Sequence, residues 1–149
     1  MRILGVDYGD HYVGLALSDS TELIASPLTT IYREDEANLK ATVRQIRAIT
    51  EQEGVRQIIL GYPKNMNNTA GPRAEKSEAF KRRLERDLYQ VEVLLWDERL
   101  STRAAEIPLM ESRMNREQRK KVVDKMAAAL ILQSYLDWKK TKDDQNHGA

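Results

Sequence analysis

Acidic side chains stand at the ends of two apolar runs of the sequence and inside a third. Asp7 ends "RILGVD", Asp97 and Glu98 follow "QVEVLLW", and Asp124 lies in "KKVVDKMAAALILQSYLDW". If folding brings these carboxylates together, they repel one another unless cations bridge them. Hard oxygen ligands of this kind suit Mg²⁺ or Mn²⁺, so the pattern is compatible with a divalent metal site. The alternative is that each acid is a solvated turn or surface residue, with Asp124 paired to a neighbouring lysine.

The elements that would position these acids follow from apolar periodicity and from turn residues. Gly54 and Pro72 mark a helix end and a helix start, and Pro27 favours an edge or bulged strand. The predicted elements are strands at 2–8, 12–18 and 23–32, a helix at 36–52, a strand at 55–62, a helix from 72 to about 88, a strand at 90–96, a short helix at 102–111 and a long helix from a cap at Asn115, with Gln118, to about Trp138.

The order of these elements predicts an α/β fold. Three hairpin-linked strands followed by alternating strands and helices indicate a mixed five-stranded sheet with helices on both faces. Active sites in such sheets gather at the carboxyl ends of the parallel strands, where Asp7, Asp97 and Glu98 stand. We assign residues 1–138 to one domain and predict that residues 139–149 form a disordered tail.

The long helix places Asp124 near its apolar side. Val123, Ala127 and Ser134 share one stripe with Leu130 and Trp138, and Asp124 is predicted to border that stripe. Among the strand glycines, Gly5 and Gly14 leave room either for substrate or for packing.

Composition limits the function classes. The 149-residue chain has a net charge of +1, so any electrostatic signal for a partner must be local. The absence of cysteine excludes disulfides, thiolate zinc sites and cysteine nucleophiles. No apolar stretch approaches the roughly 18 residues of a membrane span, and no signal peptide is recognisable, so we expect a cytoplasmic protein without membrane contact.

A local basic patch precedes Asp124. Residues 113–125, "RMNREQRKKVVDK", hold six basic and two acidic side chains, a local charge of +4. Lys120 and Lys121 could bind a phosphate backbone there, and Arg99 could hold a phosphate beside Glu98; the alternatives are a solvated helix start and simple neutralisation of the acids. The aromatic residues show no clustering in the sequence. We therefore expect recognition through backbone and shape, without a base-stacking platform.

Four segments in order resemble the motifs of the YqgF/RuvX family: "GVDYGDHYVGLALSD", "GYPKNMNNTAGPRAE", "WDERLST" and "VVDKMAAALILQSYLD". The resemblance implies a ribonuclease H-like fold and a metal-dependent endonuclease, with 5′-end processing of pre-16S rRNA as the expected activity and Holliday-junction resolution as the alternative. Carried over by position, the catalytic and metal-binding acids would be Asp7, Glu98 and Asp124, with Mg²⁺ or Mn²⁺ as cofactor. The choice of Glu98 over Asp97 stays open, because neighbouring strand residues point to opposite faces.

One position departs from the family pattern, and two rival functions remain. Relatives often carry basic residues where this chain has His11 and Tyr12, which argues against a phosphate contact from that loop unless His11 substitutes; the alternative is that His11 is simply exposed. "DYGDHYVGLALSD" also resembles the phosphate loop of actin-like and sugar-kinase-like ATPases, which close two such domains around ATP. A non-catalytic RNA-binding factor is the second rival. Pre-rRNA or branched DNA is the expected partner, and monomer and homodimer are both compatible with the sequence.

Overall fold

The computed structural model of the protein describes residues 1–34, 38–63, 71–98 and 115–147. The short helix predicted at 102–111 lies outside these residues. Within the described ranges the elements are β1 Arg2–Tyr8, β2 Tyr12–Ser18, β3 Ala25–Tyr32, α1 Leu39–Glu53, β4 Val55–Tyr62, α2 Pro72–Asp87, β5 Glu92–Asp97 and α3 Arg116–His147.

The five strands form one mixed sheet in the order β3-β2-β1-β4-β5. The pairs β1–β2 and β2–β3 are antiparallel, whereas β1–β4 and β4–β5 are parallel. The carboxyl ends of β1, β4 and β5 therefore meet at one edge, as the sequence predicted. Pro27 lies on the edge strand β3 beside a register shift, which accommodates its missing N–H.

Helices cover both faces of the sheet, which confirms the predicted layering. Leu4 and Val6 of β1 belong to a core that also contains Val43 of α1 and Phe80 of α2. Ile3 faces the other way and packs in the cluster formed with α3. Because side chains alternate along a strand, odd-numbered residues of β1 face α3.

The capping signals in the sequence hold in the structure. Gly54 ends α1 in the left-handed region at φ 66°, and Pro72 begins α2. Asn115 Oδ1 accepts the Gln118 backbone N–H at 2.8 Å, and Gln118 Oε1 accepts the Asn115 N–H at 3.2 Å. This reciprocal pair is a capping box, and it fixes where α3 starts.

The core-facing stripe of α3 differs from the predicted one. Its buried residues are Asp124, Ala128, Ile131, Leu132, Tyr135 and Leu136, whereas Trp138 is half exposed. Residues 126–132 in the middle of this helix are all apolar, so periodicity alone does not determine which stripe faces the sheet. Asp124 therefore lies on the buried face, not at its border.

The helix α3 also continues to His147, beyond the end predicted near Trp138 and through most of the segment predicted to be disordered. Residues 139–147 contain no glycine or proline that would end it. Lys139 Nζ contacts Glu22 Oε1 at 2.9 Å, and the Lys142 ammonium lies 4.9 Å from the Trp138 ring centre. The domain assignment 1–138 stays a prediction. In the part of the chain that the structure describes, no helix is long and apolar enough to cross a bilayer.

Two strand glycines allow the backbone of α3 to lie directly on the sheet. A Cβ at Gly14 would stand 2.0 Å from the carbonyl oxygen of Asp124, and one at Gly5 would stand 2.7 Å from Leu132 Cβ. Both distances are too short for a side chain. Of the two explanations open for these glycines, the structure favours packing, and the contact at Gly14 sets the height of Asp124 above the sheet.

Gly14→Ala is expected to destabilise the protein by about 3 kcal/mol, because the new methyl group must push α3 off the sheet. Denaturant unfolding would measure this loss. Gly54→Ala is the matched control: nothing lies within 4 Å of its added Cβ, and only its left-handed φ is strained. Its expected cost is about 1 kcal/mol. Equal losses for the two variants would contradict the close approach of α3.

Candidate active site

Three acids from separate segments converge on the α3 face of the sheet. Asp7, the last residue but one of β1, lies on that face opposite Gly14 in the β1–β2 register. The backbone carbonyl oxygen of Asp124 lies directly above Gly14, where a Cβ would otherwise stand. A Cβ built on Gly61 of β4 would stand 2.8 Å from Glu98 Oε1. The register thus places all three acids around the carboxyl ends of β1 and β4.

The structure also distinguishes Glu98 from Asp97. Trp96 packs in the cluster formed with α3, and Asp97 is the register partner of Tyr62, so Asp97 belongs to the opposite side of the strand. Glu98 follows β5 and returns to the α3 face over Gly61. Glu98 is therefore the acid that lies beside Asp7, which the sequence left open. Its chemical role stays a prediction.

Asp7 is held in an environment that disfavours its charge. Burial raises the pKa of Asp7 to about 7, with further contributions from the negative charges of Glu98 and Asp124. Burial raises the pKa of Glu98, whereas the charge of Arg73 and a hydrogen bond with Asp7 oppose that rise. A hydrogen bond between two carboxyl groups requires a proton on one of them. The raised pKa of Asp7 and this hydrogen bond favour a protonated Asp7 carboxyl when no cation is bound.

Asp124 is buried, with 6% of its surface exposed, and only one of its two carboxylate oxygens has a hydrogen-bond partner among the described residues. Its Oδ1 accepts a hydrogen bond from Lys120 Nζ at 2.9 Å. Its Oδ2 is buried and makes no hydrogen bond within the described residues. Burial raises the pKa of Asp124, and the ammonium of Lys120 opposes that rise. A buried carboxylate oxygen without a partner is costly, so this atom fits a cation ligand.

The chemistry of the three carboxylates suits a divalent cation, but in this structure they do not form an assembled metal-binding site. In the described ranges, no three His, Cys, Asp or Glu side chains are grouped closely enough to hold a metal ion as they stand. Asp124 is engaged with Lys120, whose ammonium supplies the positive charge that the site needs. Because Lys120 contacts Oδ1, a cation would be held through Oδ2 of Asp124.

Arg73 is a residue near the site that the sequence interpretation missed. It lies exposed in the first turn of α2, and its charge lowers the pKa of both Asp7 and Glu98. Residues 73–86 had the composition of an ordinary solvated helix face. The position of Arg73 in the sequence could have identified it. The start of α2 follows β4, and the carboxyl end of β4 adjoins that of β1.

Arg33 is a second missed residue, and it holds the turn that follows Asp7. Its side chain is buried, donates from Nη1 to the Gly9 carbonyl oxygen at 3.0 Å and lies 5.0 Å from the Tyr8 ring centre. The Arg33 backbone N–H donates to the His11 carbonyl oxygen at 2.6 Å, and His11 Nδ1 donates to the Arg33 carbonyl oxygen at 3.1 Å. His11 thus contributes to the turn.

The predicted substrate-binding residues are distributed around the acids. Lys120 contacts Asp124, and Lys121 Nζ lies 3.9 Å from Glu117 Oε1. Arg99 lies outside the described residues. The basic start of α3 is therefore adjacent to the site, and whether it binds phosphate stays a prediction.

A protein-family comparison decides the classification. The family model described as "RuvX: Holliday junction resolvase" matches residues 1–138. The chain belongs to the RuvX family. Among curated relatives, proteins of Geobacillus kaustophilus and Bacillus pumilus are each 50% identical, over 94% and 92% of this chain and 100% and 98% of their own lengths. Both carry the name "Putative pre-16S rRNA nuclease".

Solved structures confirm the fold of this RuvX-family chain. Thermus thermophilus RuvC in complex with a Holliday junction substrate matches with a TM-score of 0.58 at 13% identity, over 94% of this chain and 96% of RuvC. The fowlpox virus Holliday junction resolvase matches with a TM-score of 0.53 at 14% identity, over 92% and 99%. The predicted family, ribonuclease H-like fold and enzyme class, a nuclease, are thus confirmed.

Proposed function

We propose that the chain hydrolyses phosphodiester bonds of nucleic acid at Asp7, Glu98 and Asp124, with Mg²⁺ or Mn²⁺ as cofactor. The observation that carries this proposal is the convergence of the half-buried Asp7 and Glu98 and the buried Asp124 around the carboxyl ends of β1 and β4, with the pKa of Asp7 raised to about 7. Strongly shifted carboxylates that repel one another cluster at catalytic and metal-binding sites, where a bound cation or a reaction uses them. A purely RNA-binding factor has no use for buried negative charge facing a phosphate, which argues against that rival.

Each residue has a definable part in the proposed reaction. When bound, a divalent cation supplies Lewis-acid activation of water and stabilises the leaving oxygen. Asp7 and Glu98 would hold the cation through their carboxylates, and Asp124 would contribute its buried Oδ2. Lys120, which contacts Asp124, and the exposed Arg73 would bind the phosphate groups that flank the cleaved bond.

For the substrate we propose pre-16S rRNA, cleaved at its 5′ end in the cytoplasm. Support comes from the name shared by relatives of 50% identity that match along almost their whole length. A four-way DNA junction is the second candidate, since the matching family is described as a Holliday junction resolvase and the matching RuvC structure is a complex with a Holliday junction substrate.

An assay with both substrates tests this proposal. The purified protein is incubated with a labelled pre-16S rRNA fragment that spans the mature 5′ end and with a labelled four-way DNA junction, in Mg²⁺, in Mn²⁺ and in chelator. We expect metal-dependent cleavage of the RNA at one position. Cleavage of the junction alone would reassign the substrate, and failure to cleave either substrate in both metals would overturn the nuclease proposal.

Lys121→Ala is expected to weaken binding of either substrate to a similar extent whatever its sequence, because a lysine at the start of α3 contacts phosphate rather than bases. The slope of log affinity against log salt concentration should fall by about one unit. Binding titrations at several salt concentrations would measure this change. Lys140→Ala, exposed on the same helix but far from the acids, is the control. An unchanged slope for Lys121→Ala would show that the basic patch is a solvated helix face that does not bind phosphate.

A further inference from the structure

Tyr12 and Tyr32 form an aromatic pair that the sequence did not reveal. The sequence predicted no base-stacking platform, because its aromatic residues are scattered along the chain. In the structure Tyr12 and Tyr32 are register partners on β2 and β3, with ring centres 5.3 Å apart and planes inclined by 52°. Tyr32 keeps 52% of its surface exposed, so the pair is not a core contact.

The aromatic pair lines an open cavity of about 760 Å³ whose other wall is the first turns of α3. Arg116, Arg119 and Lys120 line that wall, together with the single acid Glu117. The hydroxyl of Thr30 on β3 donates to the Lys121 carbonyl oxygen at 2.5 Å and so connects β3 to the start of α3. The cavity thus has aromatic surface on one side and an excess of positive charge on the other.

This cavity adjoins the three acids. Lys120 both lines the cavity and contacts Asp124. Tyr12 shares the α3 face of β2 with Gly14, above which the backbone of Asp124 lies. A strand whose phosphate reached Asp124 could therefore place a neighbouring nucleotide against the tyrosines.

We propose that Tyr12 and Tyr32, with Arg116 and Arg119, form a subsite that stacks an unpaired nucleobase of the substrate strand and binds its phosphate. Aromatic side chains beside cations are the combination that single-stranded nucleic acid requires, because every base has a π face and every phosphate a charge. The bases of a continuous duplex are stacked on each other and do not enter such a cavity. The inference rests on the proposed nuclease function and adds to it a preference for strands with unpaired bases near the cleaved bond.

Binding in chelator tests this subsite without requiring cleavage. The probes are fluorescent single strands of about twelve nucleotides, in RNA and in DNA, and an abasic strand of the same length that keeps every phosphate. Tyr32→Ala should weaken binding of the base-bearing strands by about tenfold and leave binding of the abasic strand unchanged. Tyr32→Phe should bind like the parent protein, and Arg116→Ala should weaken all strands and reduce the salt slope by about 0.7.

Two further variants make the result decisive. Tyr32→Leu keeps an apolar side chain on the edge strand but has no π face, so it should bind like Tyr32→Ala. Tyr89→Ala, at a tyrosine 83% exposed and outside the cavity, should bind like the parent. Equal losses on abasic and base-bearing strands, or full affinity in Tyr32→Leu, would overturn the stacking. The binding assay needs no cleavage, so a protein that cleaves neither substrate can still be tested for stacking. Failure of the nuclease proposal and failure of the subsite proposal are therefore distinguishable. The ratio of RNA to DNA affinity tells which strand the subsite prefers.

Discussion

Asp7→Asn is expected to reduce cleavage by roughly a thousandfold or more while leaving the fold intact. The amide keeps the shape of the carboxylate but loses the charge that would hold a cation. Mutation of residues that only support metal ligands already lowers metal affinity or activity by about 10–100-fold, so the loss of a ligand itself should lower activity further. Initial cleavage rates in Mn²⁺ would measure the loss, with circular dichroism to verify folding.

Asp97→Asn provides a matched control for this experiment. Asp97 ends β5 one residue before Glu98 but belongs to the opposite side of the strand, so its amide variant should cleave within about twofold of the parent. Glu98→Gln should behave like Asp7→Asn. Full cleavage by a folded Asp7→Asn protein would falsify the assignment of the acids.

The second large effect concerns stability without metal. The pKa of Asp7 is about 7 in the folded protein and 3.8 ordinarily, so between these pH values the folded state binds a proton that the unfolded chain has lost. Stability contributed by this proton is complete below pH 3.8 and is lost as the pH rises through 7. Since each pKa unit is worth about 1.4 kcal/mol, the loss amounts to up to about 4 kcal/mol. Melting curves in chelator from pH 4 to pH 8 would measure it.

Variants and added metal separate this effect from general pH sensitivity. At pH 8 in chelator, Asp7→Asn should melt above the parent, and near pH 4 the difference should vanish. Asp124→Asn should gain less, because Lys120 already compensates the charge of Asp124. Millimolar Mn²⁺ should stabilise the parent by mass action and both variants less. Asp144→Asn, exposed near the end of α3, should match the parent throughout. If Asp7→Asn also matched it under all conditions, the acids would not share a site.

Local patterns in the sequence determined most of the fold. Alternation and apolar runs gave β1, β2 and β4 with the bounds observed, and Gly54, Pro72 and Asn115 marked helix ends through backbone preferences that do not depend on the rest of the chain. Motif order was enough to identify the family. These features are local, and neighbouring residues specify them.

The tertiary structure decided what depends on faces and on contacts across the sheet. It placed Glu98 and not Asp97 beside Asp7, because the Glu98 side chain lies over Gly61 whereas Asp97 belongs to the opposite side of β5. It also brought Arg73 close to the acids and paired Tyr12 with Tyr32, which lie far apart in the sequence. A strand's period of two fixes which side chains share a face, but only pairing with other strands and the packing of α3 fix which neighbours they meet. The sequence by itself thus supplied the acids and the elements that carry them, whereas their convergence required the assembled sheet.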